Sequence, residues 1–152
     1  MWLGHLAVSW LLHHYLEVEP GPVLIGGVFP DVVDKGLARV LKLTPSGRMF
    51  AHTLLGLAGS TTAAGLIGGR RMAVSWGAGY LGHLMADSTG FIPWFYPFVR
   101  YNFYGSKRGL AESFRRALLK KNWLEWGVLL WAAWVIVIGH RESAQTKPDD
   151  NY

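Results

Sequence analysis

The sequence predicts an all-α protein: a multi-pass transmembrane helical bundle of about four to five helices, with metal-site residues converging at one membrane face. Three observations predict it. Half of the 152 residues are hydrophobic and only 16% are charged, where a soluble domain carries about a quarter charged residues. The charges fall in short blocks and leave long stretches almost free of them. Residues 50–69 are rich in Gly, Ala, Ser and Thr, small residues that let helices approach closely in lipid.

Residues 2–16 are apolar apart from Gly4, His5, Ser9, His13, His14 and Tyr15. They are expected to form a retained first helix, because a signal peptide would need a basic leading region and a small-residue cleavage site before Glu17. Pro20-Gly21-Pro22 is expected to break that helix. Residues 23–29 are a short apolar run ending in Pro30-Asp31-Val32-Val33-Asp34-Lys35-Gly36. A straight crossing needs about 20 residues, so this run either half-inserts or continues as helix through the two Asp residues.

Residues 36–47 read as a polar, basic loop, 50–69 as a third helix, Arg70-Arg71 as punctuation, and 73–89 as a fourth helix. The aromatics and prolines of 90–98 suit an interfacial belt rather than a regular element. Residues 100–121 form a basic cytoplasmic segment with a short amphipathic helix near 110–119. Residues 122–139, strongly apolar from Leu124 and carrying Trp126, Trp131 and Trp134, give the clearest membrane segment. One membrane-embedded domain over 1–140 is therefore expected, with a polar tail at 141–152.

The absence of cysteine excludes disulfides and thiolate metal sites. The net charge of +5 comes with basic pairs beside apolar segments (Arg70-Arg71, Arg115-Arg116, Lys120-Lys121). Anionic lipid headgroups are the simpler partner for such pairs, and no nucleic acid is expected. Placing loop 35–48 and segment 100–121 in the cytoplasm puts eleven of the Lys and Arg residues there and four outside.

The stretch Gly79-Tyr80-Leu81-Gly82-His83-Leu84-Met85-Ala86-Asp87 carries the chemistry. His83 and Asp87 are four apart, so both project from one helix face. An imidazole and a carboxylate among Val74, Trp76, Leu81, Leu84 and Met85 are expensive unless something pairs with them. A divalent metal suits both, although a simple hydrogen-bonded pair is the plainer reading. In the topology above, His5 starts the first helix, Asp31 and Asp34 end the second segment, His52 opens the third helix, and His83 with Asp87 closes the fourth. All six fall at one membrane face, where a bundle can gather them. Plainer roles stand beside these: Asp31 as an N-cap or turn residue, Asp34 as a solvated charge beside Lys35, His52 as a helix cap. His13 and His14 read as interfacial. Arg48 is either a loop charge or a planar fork for an anionic substrate.

Gly4-His5-Leu6, Phe29-Pro30-Asp31-Val32-Val33-Asp34, Gly47-Arg48-Met49-Phe50-Ala51-His52-Thr53 and the Gly79–Asp87 stretch, followed by aromatics and prolines up to Pro97, occur in that order. Together they resemble the YdjM-like family of membrane-bound, metal-dependent hydrolases, labelled LexA-binding, inner-membrane-associated hydrolase in one member. The resemblance covers residues 4 to 98. It implies a helical, membrane-embedded fold with a metal-centred site, the family's ligands matching His5, Asp31, His52, His83 and Asp87. Two departures stand out: the second aspartate comes one residue late, at Asp34, and Gly47 replaces the first His of a His-Arg-Gly-x-Thr-His pattern. The family's ligand set is also similar to that of zinc-dependent phospholipase C.

The expected function is a metal-dependent hydrolase of the cytoplasmic (inner) membrane. His5, Asp31, His52, His83 and Asp87 would hold one or two divalent ions, zinc by the mixed nitrogen and oxygen donors. The ion would activate a water, Asp34 would serve as a base or extra ligand, and Arg48 would stabilise charge developing on the substrate. The expected substrate is an ester or phosphate ester, lipid-linked given the site's depth. The competing expectation is a non-enzymatic integral membrane protein, an assembly factor or small transporter, whose polar groups serve structure or proton movement. That alternative separates His83 and Asp87 from Asp31 and His52 by more than about 10 Å, whereas direct ligand bonds span about 2 Å. A soluble helical bundle, with 124–139 as a buried core helix, is the third reading.

Overall fold

The computed structural model describes residues 2–88, 90–103 and 123–145. Among them are four α-helices and one π-helical turn, and no strand: α1 (Trp2–Leu16), α2 (Pro20–Lys35), the π turn (Gly36–Val40), α3 (Leu54–Asp87) and α4 (Trp123–Gln145). The expected amphipathic helix near 110–119 and most of the tail lie outside the described residues. α4 runs beyond the expected end at 139, to Gln145.

The first helix ends at Leu16, where the sequence placed its end, but Pro20-Gly21-Pro22 is not what breaks it. Glu17, Val18 and Glu19 form the turn, Glu17 with a positive φ of 51°, and Pro20-Gly21-Pro22 opens α2 instead of interrupting the chain. Proline fits a first helical turn because its missing N–H would have no partner there. The turn is tied to the bundle where Glu19 N–H donates to Ser75 Oγ (2.8 Å) and His13 Nδ1 meets Val18 O (2.6 Å). α2 then takes the helical option through both Asp residues, accommodating Pro30 in its interior. It loosens into the π turn at Gly36, so the expected basic loop begins as a further helical turn.

α3 is 34 residues long but is not one rod. Gly69 adopts φ 74°, ψ −170° inside it, a conformation open to glycine and strained for other residues. The chain reverses there. Trp76 Nε1 donates to Ser60 Oγ at 3.2 Å, and Cβ atoms added at Gly65 and Gly77 would each lie 3.2 Å from Ala73 and Thr61 respectively. Residues equidistant from Gly69 therefore meet, and the element is a helical hairpin whose open end carries Leu54 and Asp87. This matches the two helices read from the sequence, with the turn one residue before Arg70.

Val23, Tyr80 and Leu84 are completely buried between α2 and α3, and Phe29 packs on the rings of Trp76 and Tyr80. α4 lies along α1 through Ala7, Leu11, Ala132 and Val135. No helix among the described residues is long and apolar enough to cross a membrane. α1 and α2, at 15 and 16 residues, fall short of the roughly 20 a straight crossing takes. The open end of the hairpin is closed by the segments 41–53 and 90–103, neither of them regular. They are joined by Leu54 N–H to Trp94 O (2.9 Å) and by the ring contact of Phe50 with Tyr96.

Candidate metal centre

The centre starts with glycines. Gly26 and Gly27 on α2 face Trp76 and Gly79 on α3 so closely that a Cβ on Gly79 would collide with the Val23 carbonyl and lie 3.0 Å from Gly27 N. Backbone therefore rests on backbone. This proximity brings His83 Nδ1 to within 2.7 Å of the Gly27 carbonyl oxygen. A carbonyl only accepts, so Nδ1 carries the hydrogen and Nε2 presents its lone pair to the interior.

His52 is oriented in the same way by a different device. Asp34, at the end of α2, is 1% exposed and collects the chain that leads into α3. Its oxygens accept hydrogen bonds from the amides of Met49 (2.7 Å), Phe50 (3.1 Å), Ala51 (2.9 Å) and His52 (3.1 Å). The carboxylate also meets His52 Nδ1 at 2.8 Å, leaving Nε2 of that ring to face inward. The loop is held from behind as well, since Tyr80 OH donates to Ala51 O at 2.5 Å. Thr53, not His52, caps α3, its Oγ1 accepting from Gly56 N at 2.9 Å.

The two Nε2 atoms come to 3.3 Å of each other. Asp31 Oδ1 lies 3.5 Å from the His52 Nε2 and 3.8 Å from the His83 Nε2. Asp87 Oδ2 lies 3.7 and 3.9 Å from the same two atoms. Asp31, His52, His83 and Asp87 are all buried and offer four ligand atoms within 4.8 Å of one another. Metal–ligand bonds of about 2.0–2.2 Å in a tetrahedron put donors roughly 3.3–3.6 Å apart, close to the spacing found. Asp31 Oδ1 and Asp87 Oδ1 accept no hydrogen bond among the described residues, although buried carboxylate oxygens ordinarily do. Two inward lone pairs and two carboxylates form a donor set that fits a divalent cation. The same demand for positive charge acts on His52: burial lowers its pKa, but the surrounding carboxylates of Asp31, Asp34 and Asp87 outweigh this and raise it to about 9.

The remaining residues fall around this centre. His5 is buried, stacks on the His83 ring at 3.9 Å and places Nε2 3.5 Å from Asp87 Oδ1. It stands beside the four-donor group, on the other side of Asp87. Arg48 puts one nitrogen 2.6 Å from Asp87 Oδ2 and another 3.4 Å from the Phe91 carbonyl. Lys35 pairs with Asp31 across one helical turn. That pair was readable from its spacing of four, whereas the Gly27 carbonyl is a backbone group that no motif announces.

The plainer roles do not describe these positions. Asp31 is interior to α2 and 2% exposed, so it is neither cap nor turn residue, and Asp34 is not solvated. His83 Nε2 and Asp87 Oδ2 stand 3.9 Å apart, too far for the hydrogen-bonded pair of the plainer reading. His13 is occupied at the far end of α1, with Val18 and Trp10. The wide separation expected of a non-enzymatic arrangement is not found, because the four ligand atoms form one cluster.

No curated protein matches the chain, and no solved structure does. A family model described as YdjM inner membrane protein matches residues 3–144, nearly the whole sequence and all of the residues gathered at this centre. The chain belongs to the YdjM inner membrane protein family.

Proposed function

We propose that the protein is a metal-dependent hydrolase of the inner membrane that cleaves an ester by adding water across it. The observation that carries this reading is the set of four buried donors within 4.8 Å of one another, with both imidazole Nδ1 atoms engaged elsewhere so that both Nε2 atoms face the two carboxylates. A divalent ion bound there, zinc by the nature of the donors, would supply Lewis acidity and a water acidic enough to react near neutral pH. In this reading Asp31, His52, His83 and Asp87 bind the ion, and His5 with Asp87 Oδ1 offers donors for a second.

The hydrolysis adds the water oxygen to the carbonyl carbon or phosphorus, breaks the bond to the leaving oxygen, and returns a proton to that oxygen. The protein's own contributions are positional and electrostatic. Asp34 is filled by four amides and an imidazole, so it orients His52 and does not act as the base or extra ligand expected of it. Arg48, held by Asp87 and Phe91, sets a fixed positive charge beside the centre for an anionic transition state.

The compartment follows the family's name, and the molecule's outer surface supports it. Leu66 and Ile67 at the hairpin tip are 85% and 81% exposed, and Trp126, Leu130 and Trp134 of α4 also face outward. Such faces are unfavourable in water and favourable in lipid. A multi-pass arrangement, with the centre near the headgroups on the cytoplasmic side, is part of the proposal.

Metal analysis of the purified full-length protein tests it. Wild type is expected to retain at least one zinc per chain, and His83→Ala and Asp87→Ala to lose it. Equal metal in wild type and both variants would refute the proposal. The zinc-loaded protein, screened in detergent against carboxylic esters, phosphate esters and phospholipids, is expected to hydrolyse one of these classes.

A further inference from the structure

Three cations, Lys35, Arg39 and Arg48, stand at the mouth of the centre, and two of them pair with its carboxylates. Asp31, Lys35 and Arg39 follow one another at intervals of four, so α2 and its π-turn continuation carry them along one side. Lys35 pairs with Asp31 and Arg48 with Asp87. Arg39 has no hydrogen bond or ion pair among the described residues, yet it is not turned out to water. Its guanidinium packs over Gly47, with Nη2 and Nε 3.8 and 3.9 Å from where a Cβ on that glycine would lie, and Lys35 Cγ is 3.4 Å from the same point. Gly47 is next to Arg48 in the chain, so Arg39 reaches the segment that carries Arg48. The interaction is felt at Arg39: partial burial lowers its pKa most, Asp31 raises it and Arg48 lowers it again. A partly buried guanidinium with no ion pair of its own, repelled by a second arginine, is relieved by an anion bound beside it.

We infer that Arg39 and Arg48 form an anion seat at the mouth of the metal centre, with Arg39 supplying an open planar fork for the phosphate group of a phosphate-ester substrate. Three carboxylates are buried here (Asp31, Asp34 and Asp87). Lys35, Arg39 and Arg48 balance their charge, so a divalent ion leaves the site positive and ready for a phosphate. A neutral carboxylic ester would leave Arg39 without purpose. Gly47 lines the seat, with the Arg39 fork resting at ordinary contact range over it. The rim adds a second feature: Leu41, Leu43, Phe95 and Phe98, on the two segments that close this end, are all exposed, Leu43 by 71% and Phe98 by 82%. An apolar collar over a cationic floor matches a phosphate carried on a lipid. The same seat also accepts phosphate on a soluble ester.

The inference rests on the metal-centre reading, and its test separates the two. The full-length protein in detergent is titrated calorimetrically with inorganic phosphate, with and without added zinc, as wild type, Arg39→Gln and Arg39→Lys. Zinc binding and thermal melting are measured on the same samples. Arg39→Gln is expected to weaken phosphate binding about tenfold or more, the loss of a charge-assisted hydrogen bond. Arg39→Lys should fall between the two, while zinc content and melting stay unchanged. Phosphate bound equally by wild type and Arg39→Gln, with zinc retained, would overturn the seat and leave the metal centre standing. Absence of zinc binding together with an Arg39-dependent phosphate site would do the reverse. Vesicles of phosphatidylcholine with and without phosphatidic acid are added as competitors. Displacement of inorganic phosphate by the acidic vesicles alone identifies a lipid phosphate at the seat, and lack of displacement identifies a soluble ester; an Arg39 dependence in either arm supports the seat.

Discussion

The contact between α2 and α3 and the contact between α1 and α4 are both buried, but they are built differently. In the first, Gly26, Gly27 and Gly79 remove the side chains and leave backbone close against backbone. In the second, Ala7, Leu11, Ala132 and Val135 meet through side chains in an ordinary apolar cluster. Side-chain packing tolerates substitutions of similar volume because neighbours shift. Backbone contact has no such give, and it is the contact that aims His83 at the centre through the Gly27 carbonyl. The centre's accuracy thus comes from one seam, while the other mainly buries apolar surface.

The largest expected effect follows from that contrast. Gly79→Leu drives a side chain into the Val23 carbonyl and should destabilise the protein by about 3 kcal/mol or more and abolish zinc binding, read by thermal unfolding in detergent and metal analysis. Gly82, three residues on, is the control. A Cβ there meets Leu12 Cδ1 at 2.7 Å, the free end of a flexible side chain, so Gly82→Ala should cost less than about 1 kcal/mol and keep its zinc. Similar losses for both would dissolve the distinction.

Asp34→Ala comes next, since it leaves the amides of 49–52 without their acceptor and should cost about 3 kcal/mol. The milder Asp34→Asn should keep the fold and weaken zinc by about 10–100-fold, the usual penalty for losing a partner that orients a ligand. An Asn variant with unchanged zinc affinity would mean that Asp34 does not orient His52. On the other seam, Leu11→Ala should remove about 2 kcal/mol of stability with zinc affinity intact; loss of zinc there would show that α4 and α1 also set the geometry.

Last comes the dependence on pH. The His52 pKa of about 9 is above its unfolded value near 6.5. The stability contributed by this proton in the metal-free protein is therefore complete below about pH 6.5 and lost as pH rises through about 9. A cation binding His52 must displace the proton, so zinc affinity should increase by up to about tenfold per pH unit between about pH 7 and 9. His52→Ala should flatten that slope.

These features were unequally legible in the sequence. The order of His5, Asp31, His52, His83 and Asp87 along alternating segments was enough to suggest their convergence, and the reversal before Arg70-Arg71 was visible in composition. Pro20-Gly21-Pro22 misled because the same residues that stop a helix also start one, and only the turn at Glu17 decides between the two. Asp34 beside Lys35 looked like a surface charge. Its partners are the amides of residues 49–52, and no local pattern ties a carboxylate to backbone fifteen residues away. Arg39 was equally silent, because its position depends on the π turn and on where that turn packs over Gly47.

X-ray absorption at the zinc edge, on wild type and on His52→Ala and His83→Ala, addresses the proposed ligands themselves. Two imidazole nitrogens and two oxygens at about 2.0–2.2 Å, with one imidazole lost in each variant, is the expected result. An all-oxygen shell in wild type, unchanged by either substitution, would contradict the metal centre described above.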